Sequence, residues 1–308
     1  MPDAVEFTEI PKAKHIYMIV GWRQWADGGS MSSGLPQYLI QQTDARQIGT
    51  MSPDGFYLFQ IPGTHDLVRP VINHEEGIPV SLQTPTNTFH YTGNDDIGVV
   101  IFLGDEPHLD IERYIKLILD AAATLNVKRI IGLGGVYGEL PYNKERMVSC
   151  SYSLRTLKPE LDQLALNYSD YHGGASIGSY LCQRAKEREM AYIGMYAMVP
   201  TYDFSQFAQI GNSIRIENDF TAWLGVMRRV NYLLKTSFDL TELEQKSAQL
   251  TRILDDKVEE LDGLSPQLNI REYFNQIAEE FTEMPFDPLA DVWAEEINRL
   301  FDDSEDTE

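Results

Sequence analysis

The pattern of residues 16–42 predicts an apolar strand, a glycine-bearing loop and a helix in immediate succession. The apolar run at 16–20 ends at Gly21, and the polar loop 21–29 leads to Ser30, which can cap a helix over about 31–42. A strand that passes through glycines into a helix N-terminus points backbone N–H groups into a crevice, where α/β proteins usually hold ligands. The segment therefore predicts an α/β fold with a ligand crevice beside Gly21.

The same alternation continues along the chain. Apolar runs at 97–104 and 129–133 predict buried strands, a helix with one apolar face spans 110–125, and another helix opens at Ser176. Shorter strands are expected at 46–51, 56–61, 148–152 and 191–199, and a hairpin at 67–73 and 79–84. Alternating strands and helices imply a largely parallel sheet, and the hairpin-like pairs make it a mixed one.

Charge is unevenly distributed along the 308 residues. Residues 239–308 carry 21 acidic and 5 basic side chains, whereas the first 238 residues carry 26 and 20. Beyond residue 215 the apolar spacing is helical only, in four stripes that end near Leu300. We therefore predict an α/β domain at 1–238, an acidic all-helical region at 239–301 and a disordered acidic tail at 302–308.

Composition excludes several classes of function. The net charge of −22 opposes binding to nucleic acid, because phosphates would be repelled. The chain has no 18-residue apolar run and no signal-peptide pattern, and its two cysteines, Cys150 and Cys182, suit a reducing compartment. The six histidines lack metal-ligand spacing. We expect a cytoplasmic protein with no metal, no cofactor and no membrane span.

One motif matches a catalytic turn. Gly174-Ala-Ser-Ile-Gly178 has the G-x-S-x-G pattern of α/β-hydrolases, in which the serine is the nucleophile. However, segment 167–172 is too polar for a central strand, and no histidine follows His172 to complete a triad. We therefore interpret Ser176 as the cap of the helix that follows it.

A second glycine-rich segment, 132–138, resembles a dinucleotide-binding loop, but Tyr137 occupies the position of the third glycine. We interpret this segment as tight backbone turns at a sheet edge. Acidic side chains in the loop at Asp27 and at the strand end at Asp105 and Glu106 are placed where a ligand could contact them. The predicted crevice contains these candidate residues: Gly21, Trp22, Asp27, Gly28, Gly29, Asp105, Gly134, Gly135, Tyr137, Glu139, Arg146, Gly174 and Ser176.

Several motifs occur in the order typical of one protein family: Gly21-Trp22 with Ala26-Asp27-Gly28-Gly29-Ser30, Phe56-Tyr57 with Arg69-Pro70, segment 132–138, Gly173-Gly174 with Gly178, 197–202, and 238–243. Over roughly residues 10–262 the chain resembles the PAC2 family, named for a proteasome assembly chaperone subunit. The resemblance implies a three-layer α/β/α domain similar to nucleoside phosphorylases and related hydrolases, often in homo-oligomers. It also implies protein partners, since eukaryotic and archaeal members bind proteasome α-type subunits during assembly.

The chain departs from the family pattern at three places. Thr201 stands where members often carry a histidine after Val-Pro, and segment 142–146 keeps only Arg146 of a His-Thr-Arg-Pro-like loop. The sequence ends in Asp306-Thr-Glu308 instead of the hydrophobic-tyrosine-X tail of proteasome-binding chaperones. Neither a chaperone role nor a catalytic role therefore transfers directly to this chain.

Two functions follow as expectations. The first is a protein-binding or assembly protein that acts through oligomer and helical surfaces, with proteasome-type subunits as the partners that the resemblance implies. The alternative is a phosphorylase/hydrolase-like or carboxylate–amine ligase-like enzyme on a small anionic or nucleoside-like ligand. In that enzyme, backbone N–H groups would hold an anion, Arg146 would neutralise it, and Asp27 or Glu139 would serve as acid or base.

Overall fold

The structure, a computed structural model, describes residues 4–23, 25–60, 69–202, 214–264 and 269–286. The chain divides into two compact units. The first comprises Met1–Tyr137, Ser149–Leu157 and Tyr168–Ala197, and the second comprises Gly138–Val148, Lys158–Asn167 and Met198–Glu308. The boundary near residue 238, which was predicted from charge, stays a prediction.

Twelve strands are found among the described residues, together with seven α-helices and two short 3₁₀ turns (Gly28–Ser30 and Arg155–Leu157). The strands are β1 Val5–Phe7, β2 His15–Arg23, β3 Arg46–Met51, β4 Val71–Glu75, β5 Ile78–Gln83, β6 Thr88–Gly93, β7 Ile97–Asp105, β8 Val127–Gly138, β9 Val148–Tyr152, β10 Asn167–Tyr168, β11 Tyr192–Tyr202 and β12 Ile214–Arg215. The helices are α1 Gly34–Gln42, α2 Ile111–Thr124, α3 Lys158–Leu161, α4 Ile177–Glu187, α5 Phe220–Leu234, α6 Thr241–Leu264 and α7 Ile270–Glu280.

The main sheet has the strand order β1-β3-β6-β7-β2-β8-β11-β9-β10, with β12 beside β11, and β4 and β5 form a separate hairpin. The central strand β2 runs parallel to both β7 and β8, whereas β6 is antiparallel to β7 and to β3. The predicted α/β architecture, a mixed and largely parallel sheet with flanking helices, is therefore confirmed.

The core of the first unit follows from continuous apolar runs. Strand β7 is buried at every position between its first and last residues, as expected of a strand covered on both faces. Helix α2 buries Tyr114, Ile115, Ile118 and Leu119 along one side, the side that its 3.6-residue apolar spacing predicts. The predicted strand at 97–104 and the predicted helix at 110–125 are both confirmed.

Two predicted elements are wrong. The described part of segment 56–61 is irregular rather than a strand: Phe56 ends a turn, and its ring is buried beneath the Arg113 guanidinium at 4.1 Å. Segment 132–138 is not a set of turns at an edge but the second half of β8, in the centre of the sheet. Two of its glycines make room for tyrosine side chains: a Cβ on Gly132 would lie 1.8 Å from the Tyr192 hydroxyl oxygen.

The second unit is mainly helical among its described residues. Helix α6 buries Leu243, Leu254, Val258 and Leu261, and α7 buries Ile270 and Phe274, which confirms two of the predicted apolar stripes. The fourth stripe, at 289–300, and the tail at 302–308 lie outside the described residues. None of the helices that the structure describes combines the length and the apolar character needed to cross a membrane.

Candidate functional site

The loop after β2 is organised by Asp27. Its Oδ1 accepts hydrogen bonds from the backbone N–H groups of Ser32 (2.8 Å) and Ser33 (2.9 Å), and its Oδ2 accepts one from the Ser33 hydroxyl (2.6 Å). The prediction that Ser30 caps the helix is wrong, because Ser30 has φ +51° and belongs to the 3₁₀ turn that precedes α1. Asp27 is therefore committed to holding the turn that starts the helix.

The predicted crevice between the carboxyl ends of β2 and β8 is closed by backbone. Gly135 N–H donates to the carbonyl oxygen of Ala26 at 2.7 Å, and Asp27 and Gly135 form a parallel β-bridge. A Cβ on Gly135 would lie 2.0 Å from the Gly28 carbonyl oxygen. Here glycine permits the close approach of two backbones instead of leaving space for a ligand.

The other glycines of this region have similar surroundings. A Cβ on Gly21 would lie 2.0 Å from the Ser32 carbonyl oxygen, and one on Gly134 would lie 2.4 Å from the Tyr196 ring. The Gly29 N–H donates to the Tyr137 hydroxyl at 3.2 Å. The space beside these predicted site residues is therefore filled by the protein's own backbone and side chains.

An ion pair, Arg23–Asp105, lies at the carboxyl ends of β2 and β7. Arg23 and Asp105 are register partners in these parallel strands, and Arg23 Nη1 donates to Asp105 Oδ2 at 3.3 Å. The backbone N–H of Thr86 donates to the same oxygen at 2.8 Å. The Arg23 side chain is 39% exposed and that of Asp105 is 15% exposed, so solvent and solutes reach this pair.

A buried network lies directly beneath the pair. Trp22 Nε1 donates to the Tyr114 hydroxyl at 3.1 Å, and the Tyr114 and Tyr57 hydroxyls donate to Asn87 Oδ1 at 2.8 and 2.9 Å. Burial raises the pKa of Tyr57 to about 12, which keeps its hydroxyl a donor at neutral pH. Trp22, one of the predicted site residues, is therefore a fully buried member of this network.

Two polar side-chain atoms of this region are buried without a hydrogen-bond partner among the described residues: Asn87 Nδ2 and His108 Nε2. His108 Nδ1 accepts the backbone N–H of Leu58 at 3.1 Å, so the neutral imidazole carries its proton on Nε2. Burial lowers the pKa of His108, which favours that neutral form. Sequence reasoning missed both residues, although Asn87 immediately precedes β6 and His108 follows the end of β7 by three residues.

Glu106 connects two loops at the same edge of the sheet. Its Oε2 accepts the backbone N–H of Trp25 at 3.2 Å, and its carboxylate also accepts the backbone N–H of Ile177 at the start of α4. Burial raises the pKa of Glu106 above its ordinary value. The side chain of Trp25 itself is 61% exposed.

Ser176 has the role of a helix cap, as predicted. Its Oγ accepts the backbone N–H of Ser179 at 3.2 Å and lies 3.3 Å from the Tyr196 hydroxyl. The side chain is buried, so the G-x-S-x-G match does not present an exposed nucleophile. Gly174, in the loop before it, has open space where a side chain would stand.

The remaining two predicted site residues, Glu139 and Arg146, belong to the second unit. Arg146 is 1% exposed; its Nε donates to Asp219 Oδ2 at 2.7 Å, and its Nη1 donates to the carbonyl oxygens of Tyr142 and Lys144. Glu139 accepts a hydrogen bond from the Tyr273 hydroxyl. The structure therefore gives Arg146 an internal ion pair in place of the expected anion-neutralising role.

No group of three or more histidine, cysteine, aspartate or glutamate side chains within the described ranges is arranged to hold a metal ion. Cys150 and Cys182 are both free thiols. Burial raises the pKa of Cys150 to about 12 and that of Cys182 to about 11, so both stay protonated at neutral pH.

The capping role of Asp27 can be tested by two substitutions. Asp27→Ala removes the acceptor of two backbone N–H groups, so we expect the free energy of unfolding to fall by about 1–2 kcal/mol. Asp27→Asn keeps Oδ1 as that acceptor. Burial raises the pKa of Asp27, so the ionised form costs stability once the pH exceeds the ordinary aspartate range.

The neutral amide of the Asp27→Asn variant avoids this cost, and the stability of this variant relative to the unsubstituted chain should therefore rise between about pH 4 and pH 7. Urea unfolding of both proteins at several pH values in this range measures the difference. A relative stability that falls with increasing pH would show that the hydrogen bonds to Asp27 stabilise its charge more than burial destabilises it, and would contradict this prediction.

Known proteins provide the context for this fold. A proteasome-assembly chaperone homologue of Mycobacterium tuberculosis is similar over 78% of this chain and 94% of its own, with a TM-score of 0.66 and 20% identity. A Corynebacterium glutamicum protein of unknown function covers 89% of this chain and 96% of its own, with a TM-score of 0.71 and 17% identity. PbaB, an archaeal proteasome activator of Pyrococcus furiosus, is similar over 83% of this chain and 98% of its own, with a TM-score of 0.57 and 18% identity.

These likenesses show a shared fold. Comparison with curated proteins gives no match. The model of the PAC2 family matches residues 21–258, which is most of the chain and includes the loop and helix after β2, the Asp105 edge and the Ser176 cap. The chain therefore belongs to the PAC2 family.

Proposed function

We propose that this chain is a protein-binding assembly factor of the chaperone type, acting through surfaces that bind other protein chains. The observation that carries the proposal is the hairpin β4–β5, in which every residue is exposed. Its five large apolar side chains are 50–67% exposed: Val71, Ile72, Ile78, Val80 and Leu82. Exposed apolar patches of this kind mark interaction sites, and a two-stranded hairpin is only marginally stable alone in water.

Family membership supports the same proposal. The structural relatives include a proteasome-assembly chaperone homologue and an archaeal proteasome activator. Proteasome-type subunits are therefore the partners to test first. Helix α6 offers a further apolar position to a partner, because Ile253 is 55% exposed on its surface.

The proposal is tested by native mass spectrometry of tagged full-length protein purified from its own cells. We expect a stoichiometric protein partner, its loss in Leu82→Asp, and its retention in Gln83→Asp, an adjacent exposed position that receives the same charge. Leu82→Asp introduces a charge into an exposed strand and should leave the body folded. If both variants retain every partner, the hairpin is not the binding surface.

Deletion of residues 239–308 is a less informative test than these substitutions. The deletion removes Leu243, Val258 and Phe274, which are buried within the second unit. If the deletion abolished partner binding, the cause could equally be unfolding of the second unit or the loss of a binding surface.

A second candidate function is the binding of a small molecule, which an enzymatic activity would also require. It is favoured by the buried, unpaired Asn87 Nδ2 and His108 Nε2 beside the accessible Arg23–Asp105 pair, at the carboxyl ends of parallel strands. Buried donors without acceptors each cost about 1–3 kcal/mol, which a ligand oxygen would offset. We expect a nucleoside, inorganic phosphate or an amino acid to raise the melting temperature. A screen of these compounds without any shift would contradict this candidate.

A further inference from the structure

A cavity of about 360 Å³ lies within the second unit, between α6, α7 and the loop after β8. Clefts of this size are large enough to hold a small molecule or a single long side chain. None of the described residues that line it belongs to the hairpin β4–β5 or to the Arg23–Asp105 edge. A role for this cavity is therefore separate from both functions proposed above.

Each of the two helices contributes one face to the cavity. Residues three or four positions apart share a helix face. The lining residues have this spacing: Asp255, Val258 and Glu259 on α6, and Arg271, Phe274, Asn275 and Ala278 on α7. The loop contributes Pro141, Tyr142 and Asn143. The cavity is thus built from both apolar and polar side chains.

The apolar part of the lining is fixed by packing. Tyr142, Val258 and Phe274 are buried. The Tyr142 and Phe274 rings pack edge to face, with their centroids 5.3 Å apart, and the Phe274 ring packs in the same way on Tyr202. An occupant with an aliphatic chain would bury apolar surface against these side chains, which favours its binding.

The charged side chains of the lining leave one carboxylate oxygen available. Arg271 pairs with Glu259 at 3.4 Å and with Asp262 at 3.2 Å, so the charge of Glu259 is already offset. Asp255 Oδ1 accepts the Tyr142 hydroxyl at 2.7 Å, and within the described ranges Asp255 forms no ion pair. Burial and this hydrogen bond raise the pKa of Tyr142, which keeps its hydroxyl a donor. Asp255 Oδ2 is therefore the acceptor that an occupant can reach.

We propose that this cavity binds a primary alkylammonium group. The ammonium binds Asp255 Oδ2, and the alkyl chain packs along Val258 and Phe274. An ammonium is a point charge with three N–H donors, so a single carboxylate oxygen suffices for its ion pair. A guanidinium is bound best by both oxygens of a carboxylate at once, and here the Tyr142 hydroxyl occupies Oδ1.

Further acceptors and the surrounding charge favour the same ligand. Asn143 and Asn275 line the cavity, and their side-chain carbonyl oxygens can accept the remaining ammonium N–H groups. Residues 239–308 carry 21 acidic and 5 basic side chains, so cations are attracted and anions are repelled. The group can belong to a lysine side chain of another protein or to a free alkylamine, because both present the same chemistry.

Ligand-observed NMR titrations of the full-length chain test the proposal. Pentylamine is the probe for the ammonium group, and pentanol is its uncharged control. We expect a dissociation constant on the order of 1 mM for pentylamine, because so small a ligand buries little surface, and binding at least about fivefold weaker for pentanol.

Amino-acid amides identify the source of the group. Nα-acetyl-lysine methylamide should bind more tightly than Nα-acetyl-arginine methylamide, because the site offers one carboxylate oxygen. A lysine amide that binds as tightly as pentylamine supports the proposal with protein lysine side chains as the source. A lysine amide that binds more weakly than pentylamine supports it with free alkylamines as the source.

Substitutions locate the binding. Asp255→Asn removes the charge but keeps Oδ1 as the acceptor for Tyr142, and it should weaken pentylamine binding about five- to tenfold. Asp256→Asn is the matched control, because Asp256 is also exposed on α6 but does not line the cavity, and we expect a change below about twofold. Ala278→Leu fills part of the cavity and should also weaken binding, while circular dichroism verifies that each variant is folded.

Three results would overturn the proposal. Equal affinities of the Asp255→Asn and Asp256→Asn variants would show that pentylamine responds only to the overall negative charge. Equal binding of pentanol and pentylamine would show that the cavity selects apolar surface alone. An arginine amide that binds at least as tightly as the lysine amide would contradict the assignment to an ammonium group.

Discussion

Alanine in place of Gly135 is expected to lower the free energy of unfolding by about 3 kcal/mol. The added Cβ would lie 2.0 Å from the Gly28 carbonyl oxygen and 2.9 Å from the Met31 Cβ, so backbone must move in the middle of the sheet. Movement there also strains the hydrogen bond from Gly135 N–H to Ala26, which joins the loop after β2 to β8. Chemical denaturation of the full-length protein measures the loss.

Gly174→Ala is the matched control for this prediction. Gly174 belongs to the same predicted site, but a Cβ there would meet nothing within 4 Å. We expect a change within about 0.5 kcal/mol. Equal effects of the two substitutions would mean that the loop and the strand separate readily in solution, and the ligand crevice predicted between them would then regain its support.

The second large effect is expected at Asp219, which is fully buried. Asp219→Ala leaves the Arg146 guanidinium buried without its anion and removes the acceptor for the backbone N–H groups of Thr221 and Ala222 at the start of α5. We expect a loss of about 4 kcal/mol in the free energy of unfolding. Thermal or urea unfolding followed by circular dichroism would detect it.

Asp162→Ala provides the comparison. Asp162 also pairs with a cation, Lys158, in the second unit, but both side chains are 49% exposed. Exposed pairs contribute little, so we expect a loss below about 0.5 kcal/mol. A similarly small effect at Asp219 would show that the Arg146–Asp219 ion pair contributes little to the free energy of unfolding. That result would restore support for a ligand-binding role of Arg146.

The elements that could be predicted from the sequence are those with a local cause. Strand β7 is a continuous apolar run, and α2 repeats apolar residues at helical spacing, so each carries its own signal. The family could also be predicted, since motif order is a property of the sequence itself. These predictions needed no knowledge of distant contacts.

The wrong predictions depend on residues far away in the chain. Gly132 and Gly134 have the composition of a turn, and only the rings of Tyr192 and Tyr196, about sixty residues later, explain why a central strand contains glycine. Arg146 resembled a free cation because its partner Asp219 is 73 residues away. At the start of α1, Asp27 and Ser30 are both capable of capping, and sequence alone does not separate them.

The division of the chain into units has a consequence for how this protein can be taken apart. The polypeptide passes between the two units five times, after residues 137, 148, 157, 167 and 197. Neither unit is one continuous stretch of sequence, so a gene fragment that ends between residues 138 and 196 lacks part of both units. Neither unit can therefore be expressed whole as one uninterrupted fragment, and exchange of one unit between relatives would require several simultaneous splices.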